Sequence, residues 1–221
     1  VDFKQVEVAD SWTVSADSWL VPCYDDAVEI RYGGQCEEIW DYGGKCNTVV
    51  KDYTTVLAVP RDMLISGYAT DSVNTLRLWD AKSPKSLDMR LLSSGEYVKS
   101  MEQRTMAEVI TKVLYPADDT TEGKILRIKQ QYFFVSATAQ SVVKKHRKTY
   151  GDVRSFAEHH VFQINDTHPT MIIPELMRIF MDEDGLGWDE ALGIVSNCVA
   201  YTNHTVMSEA LESWPQELIQ A

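Results

Sequence analysis

The stretch GKILRIKQQYFFVSATAQSVVKKHR, residues 123–147, shows the period of an amphipathic helix over its whole length. Its apolar residues recur on one face, at Ile128, Tyr132, Val135, Ala139 and Val142. The stretch ends in a run of cationic or titratable side chains, which suit the negative end of a helix dipole: Lys144, Lys145, His146 and Arg147. The pattern predicts one long helix that buries this face.

Composition limits the classes of function. The 221 residues are 44% hydrophobic and carry a formal net charge of −12, which indicates an acidic globular chain with a core. No segment gathers the lysine and arginine excess that binds phosphate backbones or anionic lipids, so we expect no nucleic acid or membrane partner. No apolar run approaches the roughly 20 residues that span a bilayer. The first ten residues resemble no secretion signal.

The cysteines indicate a reducing compartment. Cys23, Cys36, Cys46 and Cys198 are widely spaced and form no Cys-x-x-Cys pair. A chain of this size does not need disulfides to fold. We therefore expect reduced thiols and a cytoplasmic protein.

The hydrophobic period changes along the chain. Up to about residue 92 it favours strands, at residues 27–34, 55–60 and 73–79, with Pro60 as a stop. After a boundary at residues 93–95 it becomes helical, and Thr105 with Glu108 fits a capping box at a helix start. A strand at residues 160–164, two helices and an apolar run then follow. The sequence predicts an α/β fold, β-rich over residues 1–92 and α/β over residues 93–221.

Two polar clusters follow predicted strands, at residues 165–168 and 202–205. Ligands bind beyond the carboxyl ends of strands in α/β folds, so both clusters are candidate site loops. Turn or helix-cap roles would explain the same residue types. A metal site on Asp166 and His168, with His159, His160 and His204, is a further alternative, although no two histidines have helical metal-site spacing.

Three long blocks identify a family. YPADDTTEGKILRIKQQYFFVSAT (residues 115–138), INDTHPTMIIPELMRIFMDEDGLGW (164–188) and AYTNHTVMSEALESWP (200–215) closely resemble consecutive blocks of the α-glucan phosphorylases. Residues 3–5, 55–60 and 73–84 resemble upstream blocks in the same order. The resemblance implies part of the N-terminal lobe of a two-lobed, GT-B type glycosyltransferase. It also implies pyridoxal phosphate as cofactor, bound by a lysine outside this chain.

The resemblance assigns roles to individual residues. It implies that His204, with Asn203 beside it, contacts the transferred glucosyl unit, and that Asp166 and His168 line the path of the glucan. The loop before the helix corresponds to a mobile gate, which here has the residues Ala117, Asp118 and Asp119, with Arg127 connected to its movement. Animal and plant members usually have Asn-Asp-Asn in the gate. Asp118 matches this pattern, whereas Ala117 and Asp119 differ from it. Asp118 and Asp119 are carried over as candidate sugar contacts.

The same resemblance implies partners. The helix from about Tyr97 corresponds to a dimer-contact helix, and Lys144 and Lys145 lie where muscle enzymes bind an effector phosphate. The expected activity is phosphorolysis of an α-1,4-glucan by the parent enzyme as a homodimer, with glucan and phosphate as substrates. The chain holds no complete catalytic set, and we expect it to be inactive alone. A non-catalytic carbohydrate-binding or assembly module and a metal-dependent hydrolase on Asp166, His168 and His204 are the alternatives.

Overall fold

The computed structural model describes residues 20–40, 42, 46–84, 93–95, 97–113, 116–207 and 211–220. The family block at residues 3–5 lies outside the described residues. None of the helices in the described ranges could span a bilayer. Within the same ranges, Cys23, Cys36 and Cys198 are free thiols.

The described residues form three sheets from eight strands: β1 Val21–Pro22, β2 Val28–Tyr32, β3 Gln35–Trp40, β4 Cys46–Lys51, β5 Thr54–Ser66, β6 Val73–Lys82, β7 Phe162–Asn165 and β8 Val199–Thr202. Strand β5 is central in the largest sheet, which is antiparallel: β1 and β2 pair with one edge of β5, and β6 pairs with the other. Strands β3 and β4 form an antiparallel hairpin, and β7 pairs with β8 in parallel.

The prediction that Pro60 stops a strand is wrong. Strand β5 continues through Pro60, which pairs with Trp79 of β6. On the other edge of β5, Pro60 lies between the residues that pair with β2 and those that pair with β1. Its carbonyl accepts a hydrogen bond from the backbone N of Cys23 at 2.8 Å. Because proline lacks an N–H, it is tolerated where the neighbouring ladder is interrupted.

The second part of the described chain is mainly helical, which confirms a mixed helix and strand architecture. A π-helical turn, Ile179–Glu183, continues α4. The helices of the described residues are α1 Tyr97–Lys112, α2 Thr121–Tyr150, α3 Phe156–His159, α4 Ile172–Arg178, α5 Trp188–Cys198 and α6 Gln216–Gln220.

Helix α1 differs from the prediction at its start. It begins at Tyr97, so Thr105 lies inside the helix and does not cap it. Glu108 instead pairs along the helix with Arg104 at 2.7 Å and with Lys112 at 2.5 Å. Such pairs, four residues apart, stabilise a helix. Glutamate occurs both in these pairs and in capping boxes, so its presence did not distinguish the two roles.

Helix α2 confirms the long predicted helix and buries two faces instead of one. Val135, Ala139 and Val143 belong to a core with α3, α4, α5 and β7. Phe133 and Ala137 belong to a second core with α1 and the large sheet. The predicted face mainly covers the first core, through Val135, Ala139 and Val142, and only its Tyr132 packs against the second core, because one apolar stripe was assumed.

A buried polar network lies between the two cores. The Glu175 carboxylate of α4, which is 3% exposed, accepts hydrogen bonds from Arg178 Nε at 2.9 Å and Nη2 at 3.0 Å. It also accepts from Ser136 Oγ of α2 at 2.6 Å and Tyr132 OH at 3.3 Å. Gln140 extends the network by donating to Ser136 Oγ and to the Glu29 carbonyl of β2, each at 3.0 Å. The network therefore connects α4, α2 and the sheet.

We predict that Arg178→Met lowers the free energy of unfolding by about 3–5 kcal/mol, since the buried Glu175 charge loses its cation. Methionine keeps the apolar stem of the side chain, so the loss reports on charge more than on packing. Arg154→Met is the matched control, because Arg154 pairs with Asp152 and Glu190 at the surface and should cost at most about 1 kcal/mol. Urea titrations measure both values, and equal losses would contradict the prediction.

Candidate functional site

The parallel strands β7 and β8 bring the two predicted polar loops together. Asn165 at the end of β7 is in register with Thr202 at the end of β8. The backbone N of Asp166 donates to the Thr202 carbonyl at 3.0 Å, one residue beyond the ladder. Segments that are almost 40 residues apart in sequence therefore form one polar edge.

Asp166 connects the loops with its side chain. Its Oδ1 accepts a hydrogen bond from the backbone N of His204 at 3.4 Å. Its φ is +59°, a left-handed conformation that aspartate tolerates better than most residues. Asn203 Oδ1 accepts from the backbone N of Thr205 at 3.1 Å, which is an Asx turn. The two loops therefore form turns, as one alternative predicted, and they also lie next to each other. His204 is exposed.

His168 lies near a carboxylate that the sequence analysis did not select. Its Nδ1 is 2.9 Å from Glu212 Oε1, at an angle outside hydrogen-bond geometry. Glu212 Oε1 also accepts from Gln131 Nε2 of α2 at 3.0 Å. Glu212 Oε2 accepts from Thr167 Oγ1 at 3.3 Å. The segment before α6 therefore joins the loop after β7 to α2.

The gate segment runs into the first turn of α2. Thr120 is the N-cap, and its Oγ1 accepts from the backbone N of Gly123 at 3.1 Å. A Cβ at Gly123 would lie 1.8 Å from the Ala117 carbonyl oxygen, so only glycine permits this close approach. Thr120 therefore caps the helix, although the gate aspartates Asp118 and Asp119 are also residue types that cap helices.

Arg127 is the contact between the gate and the rest of the site. Its Nη1 is 3.6 Å from Asp118 Oδ2, and its Nη2 is 3.4 Å from Glu212 Oε1. Asp119 is exposed. Of the gate residues assigned from the sequence, Asp118 is the one with a charged contact to Arg127.

A cavity of about 390 Å³ lies beside these residues. Its wall includes Arg127 and Gln131 of α2, with Phe134 as an apolar surface, and His168 with Pro169 from the loop after β7. A polar rim on an apolar wall is typical of a site for a small polar ligand. A larger cavity of about 720 Å³, lined by Tyr32, Tyr132 and Ile219 among others, lies away from the predicted site residues.

Lys144 and Lys145 are remote from this cavity. They lie on α2 beyond Arg127 by 17 and 18 positions, which is about 25 Å along a helix axis. Both are exposed. The candidate effector position is thus separate from the candidate sugar site.

The histidines do not converge on one site. His160 and His159 lie beside His146 of α2, with ring centroids 5.1 and 5.9 Å from it. Asp166, by contrast, contacts the backbone of His204. In the described ranges, no three histidine, cysteine or acidic side chains are grouped so that they could hold a metal ion.

Comparisons with known proteins identify the family. The carbohydrate phosphorylase family model matches residues 1–221. The chain belongs to the carbohydrate phosphorylase family. This result confirms the family resemblance drawn from the sequence blocks.

The relatives of this phosphorylase chain are much longer than the chain. Glycogen phosphorylase 2 of Dictyostelium discoideum is 40% identical over 220 residues, covering 100% of this chain and 22% of the relative. Glycogen phosphorylase of Bacillus subtilis is 40% identical over 220 residues, with 100% and 26% covered. The human liver form is 39% identical over 229 residues, with 99% and 26% covered. The chain therefore spans about a quarter of the curated relatives it matches, and corresponds to a segment of a phosphorylase.

Sequence reasoning missed Glu212, Gln131 and Thr167 in this phosphorylase segment. Glu212 lies within the quoted block at residues 200–215, but no spacing rule relates it to Arg127, which precedes it by 85 positions. Its partners are defined by the packing of the loop on α2. A pattern of neighbouring residues has no signal for such contacts.

Three histidines, His146, His159 and His160, lie together near the end of α2. His146 is fully buried, and its Nε2 donates to the Asp152 carbonyl at 3.0 Å. Its Nδ1 lies 3.1 Å from His160 Nε2. Burial, with the nearby His146, His159 and Lys145, holds the pKa of His160 below its usual value of 6.5.

We predict that this lowered pKa makes the chain less stable in mild acid. The unfolded chain takes up the His160 proton more readily than the folded chain, so stability falls as pH drops below about 6.5 towards the lower folded pKa. His160→Gln should therefore flatten the pH dependence of the unfolding free energy between pH 8 and pH 5. Urea unfolding at pH 8 measures the packing cost of the substitution separately. A variant with the unchanged pH slope would contradict the prediction.

Proposed function

We propose that this chain supplies sugar-binding loops and the gate to an α-1,4-glucan phosphorylase. The parent enzyme would transfer a terminal glucosyl unit to inorganic phosphate and release glucose 1-phosphate. The observation that carries the proposal is the match of the entire chain to a quarter of several proteins named glycogen phosphorylase. The adjacent polar loops after β7 and β8 support it, since they form the kind of edge where α/β folds bind ligands.

The proposed roles follow from the chemistry of a sugar. A glucosyl unit is neutral and covered with hydroxyls, so it is held by groups that donate and accept hydrogen bonds. His204 and Asn203 would contact the transferred glucosyl unit. Asp166 would line the path of the glucan, and it also holds the His204 loop through the His204 backbone. His168 would line the glucan path together with Glu212.

The gate is proposed to comprise Ala117, Asp118 and Asp119. Asp118 faces Arg127 across a long ion pair, and both aspartates are exposed. An exposed ion pair of this kind contributes little stability, so the gate can leave Arg127 at low cost. Asp118 and Asp119 would accept hydrogen bonds from sugar hydroxyls, and neither carboxylate can donate as an asparagine amide does.

Pyridoxal phosphate does not fit the cavity of about 390 Å³ beside Arg127. Among the described residues around that cavity there is no lysine, and its arginine, Arg127, already faces Glu212 and Asp118. We therefore place the cofactor and the phosphate substrate in the remainder of the parent enzyme. The residues here would bind and orient the glucan, and the chain alone would be inactive.

The organisation of the parent enzyme is part of the same proposal. We propose a two-lobed, GT-B type fold, in which residues 1–92 and 93–221 are consecutive segments of the N-terminal lobe. Lys144 and Lys145 would form a candidate effector site for a phosphate group, at the far end of α2 from the gate. The enzyme is proposed to be cytoplasmic.

The parent enzyme should make glucose 1-phosphate from maltodextrin and phosphate, whereas the purified chain with added pyridoxal phosphate should not. In the parent, His204→Ala should lower kcat/KM at least about tenfold, because a sugar contact in the transition state is lost. Because His204 is exposed, we expect this substitution to change the melting temperature little. Coupled enzyme assays measure the product, and glucan binding without turnover by the parent would favour the non-catalytic carbohydrate module.

Helix α1 supports a proposed homodimer contact. Ala107 and Ile110 face the core of the chain, but Val98, Met101 and Met106 are 83, 48 and 65% exposed. Exposed apolar side chains on one helix favour association.

We predict that the chain is a dimer or larger at micromolar concentration. Met101→Glu with Met106→Glu should make it monomeric without loss of helical circular dichroism, because both side chains are outside the core. Analytical ultracentrifugation measures the assembly. Glu102→Gln, on the same helix, serves as the control, and a monomeric unmodified chain would refute the proposed contact.

A further inference from the structure

Glu212 joins several elements of the candidate site. It lies before α6, and its side chain is 14% exposed. Its carboxylate contacts Arg127 and Gln131 of α2 on one side, and Thr167 and His168 of the loop after β7 on the other. Two elements of the site therefore meet at one carboxylate.

The contacts hold Glu212 in place through its backbone as well as its side chain. Thr167 Oγ1 donates to Glu212 Oε2 at 3.3 Å and accepts from the Glu212 backbone N at 3.4 Å. Gln131 Nε2 donates to Oε1 at 3.0 Å from a position on the rigid α2. A carboxylate fixed by several donors loses little further freedom when it orients another group.

Arg127 is shared unequally between its two carboxylates. Glu212 is 14% exposed and has other partners, whereas Asp118 is 55% exposed and lies 3.6 Å from the guanidinium. Because water screens the exposed pair more strongly, the Glu212 contact is the permanent one and the Asp118 contact is the releasable one.

We propose that Glu212 is a positioning residue that keeps Arg127 and His168 in a fixed relation while the gate moves. The gate carboxylate Asp118 then meets or leaves an arginine that is already oriented. The effect on catalysis depends on the proposed phosphorylase function, but the positioning depends only on the contacts within this chain. Glu212 acts through its neighbours and is not assigned a step in the reaction.

Hydrogen exchange in the chain tests the positioning directly. Glu212→Gln should speed amide exchange of residues 118–121 and of residues 167–170 by at least about fivefold, since Glu212 contacts Thr167 and His168 directly and is linked to Asp118 through Arg127. Exchange in α5 should be unchanged. Glu217→Gln removes an equal charge from nearby α6, where the side chain is exposed, and should affect neither segment. Unchanged exchange in Glu212→Gln, or equal effects in both variants, would overturn the proposal.

Kinetics of the parent enzyme test the consequence. Glu212→Gln and Glu212→Asp should each lower kcat/KM for maltodextrin by about tenfold with melting temperature nearly unchanged. Aspartate keeps the charge but shortens the reach, so full activity of Glu212→Asp would indicate a charge effect and overturn positioning. An inactive unmodified parent would refute the phosphorylase function, while the exchange result would still decide the positioning.

A double-mutant cycle tests whether Glu212 acts through Arg127. Glu212→Gln with Arg127→Gln should lower kcat/KM about as much as the larger single change, because both remove one interaction. A loss equal to the product of the single effects would contradict the link. Should Glu212→Gln fail to fold, Thr167→Val removes the same anchor from the opposite side, and its exchange rates decide the outcome.

Discussion

The burial of two opposite faces of α2 is the constraint on which the other packing depends. Phe133 and Ala137 pack towards the sheet and α1, while Val135, Ala139 and Val143 pack towards α3, α4, α5 and β7. Small residues in the middle of α2 let both layers approach closely. Without α2, each core would lose one of its walls. Burial of apolar surface on both faces therefore determines the position of this helix.

The buried polar side chains of α2 are tolerated because groups on neighbouring elements accept their hydrogen bonds. Ser136 is 1% exposed and would be costly there if it did not donate to Glu175. Gln130 is likewise buried, and its Nε2 donates to the Ile110 carbonyl at 2.9 Å and to the Val113 carbonyl near the end of α1. These bonds specify how α1 and α4 lie against α2, beyond what apolar contacts require.

The proposed functional residues lie at both ends of the same helix. The gate enters its first turn, where Thr120 and Gly123 define a tight approach. Arg127 then faces the loop after β7 through Glu212. The candidate effector lysines lie at the opposite end, beside the buried His146. A rigid helix between them gives a physical route for coupling the two regions, should the parent enzyme bind an effector.

The sequence alone determined the elements with strong periodicity and the family. The long apolar stripe predicted α2, the alternation predicted β2, and the three blocks identified the phosphorylase family, because local pattern and specific motifs carry that information. It also placed Asp166 and His204 at strand ends. The tertiary structure alone decided that β7 and β8 are parallel neighbours, that α2 is buried on two faces and that Pro60 lies inside a strand. It also decided that Glu212 meets Arg127, since contacts between distant residues arise from packing and register that no short window of sequence contains.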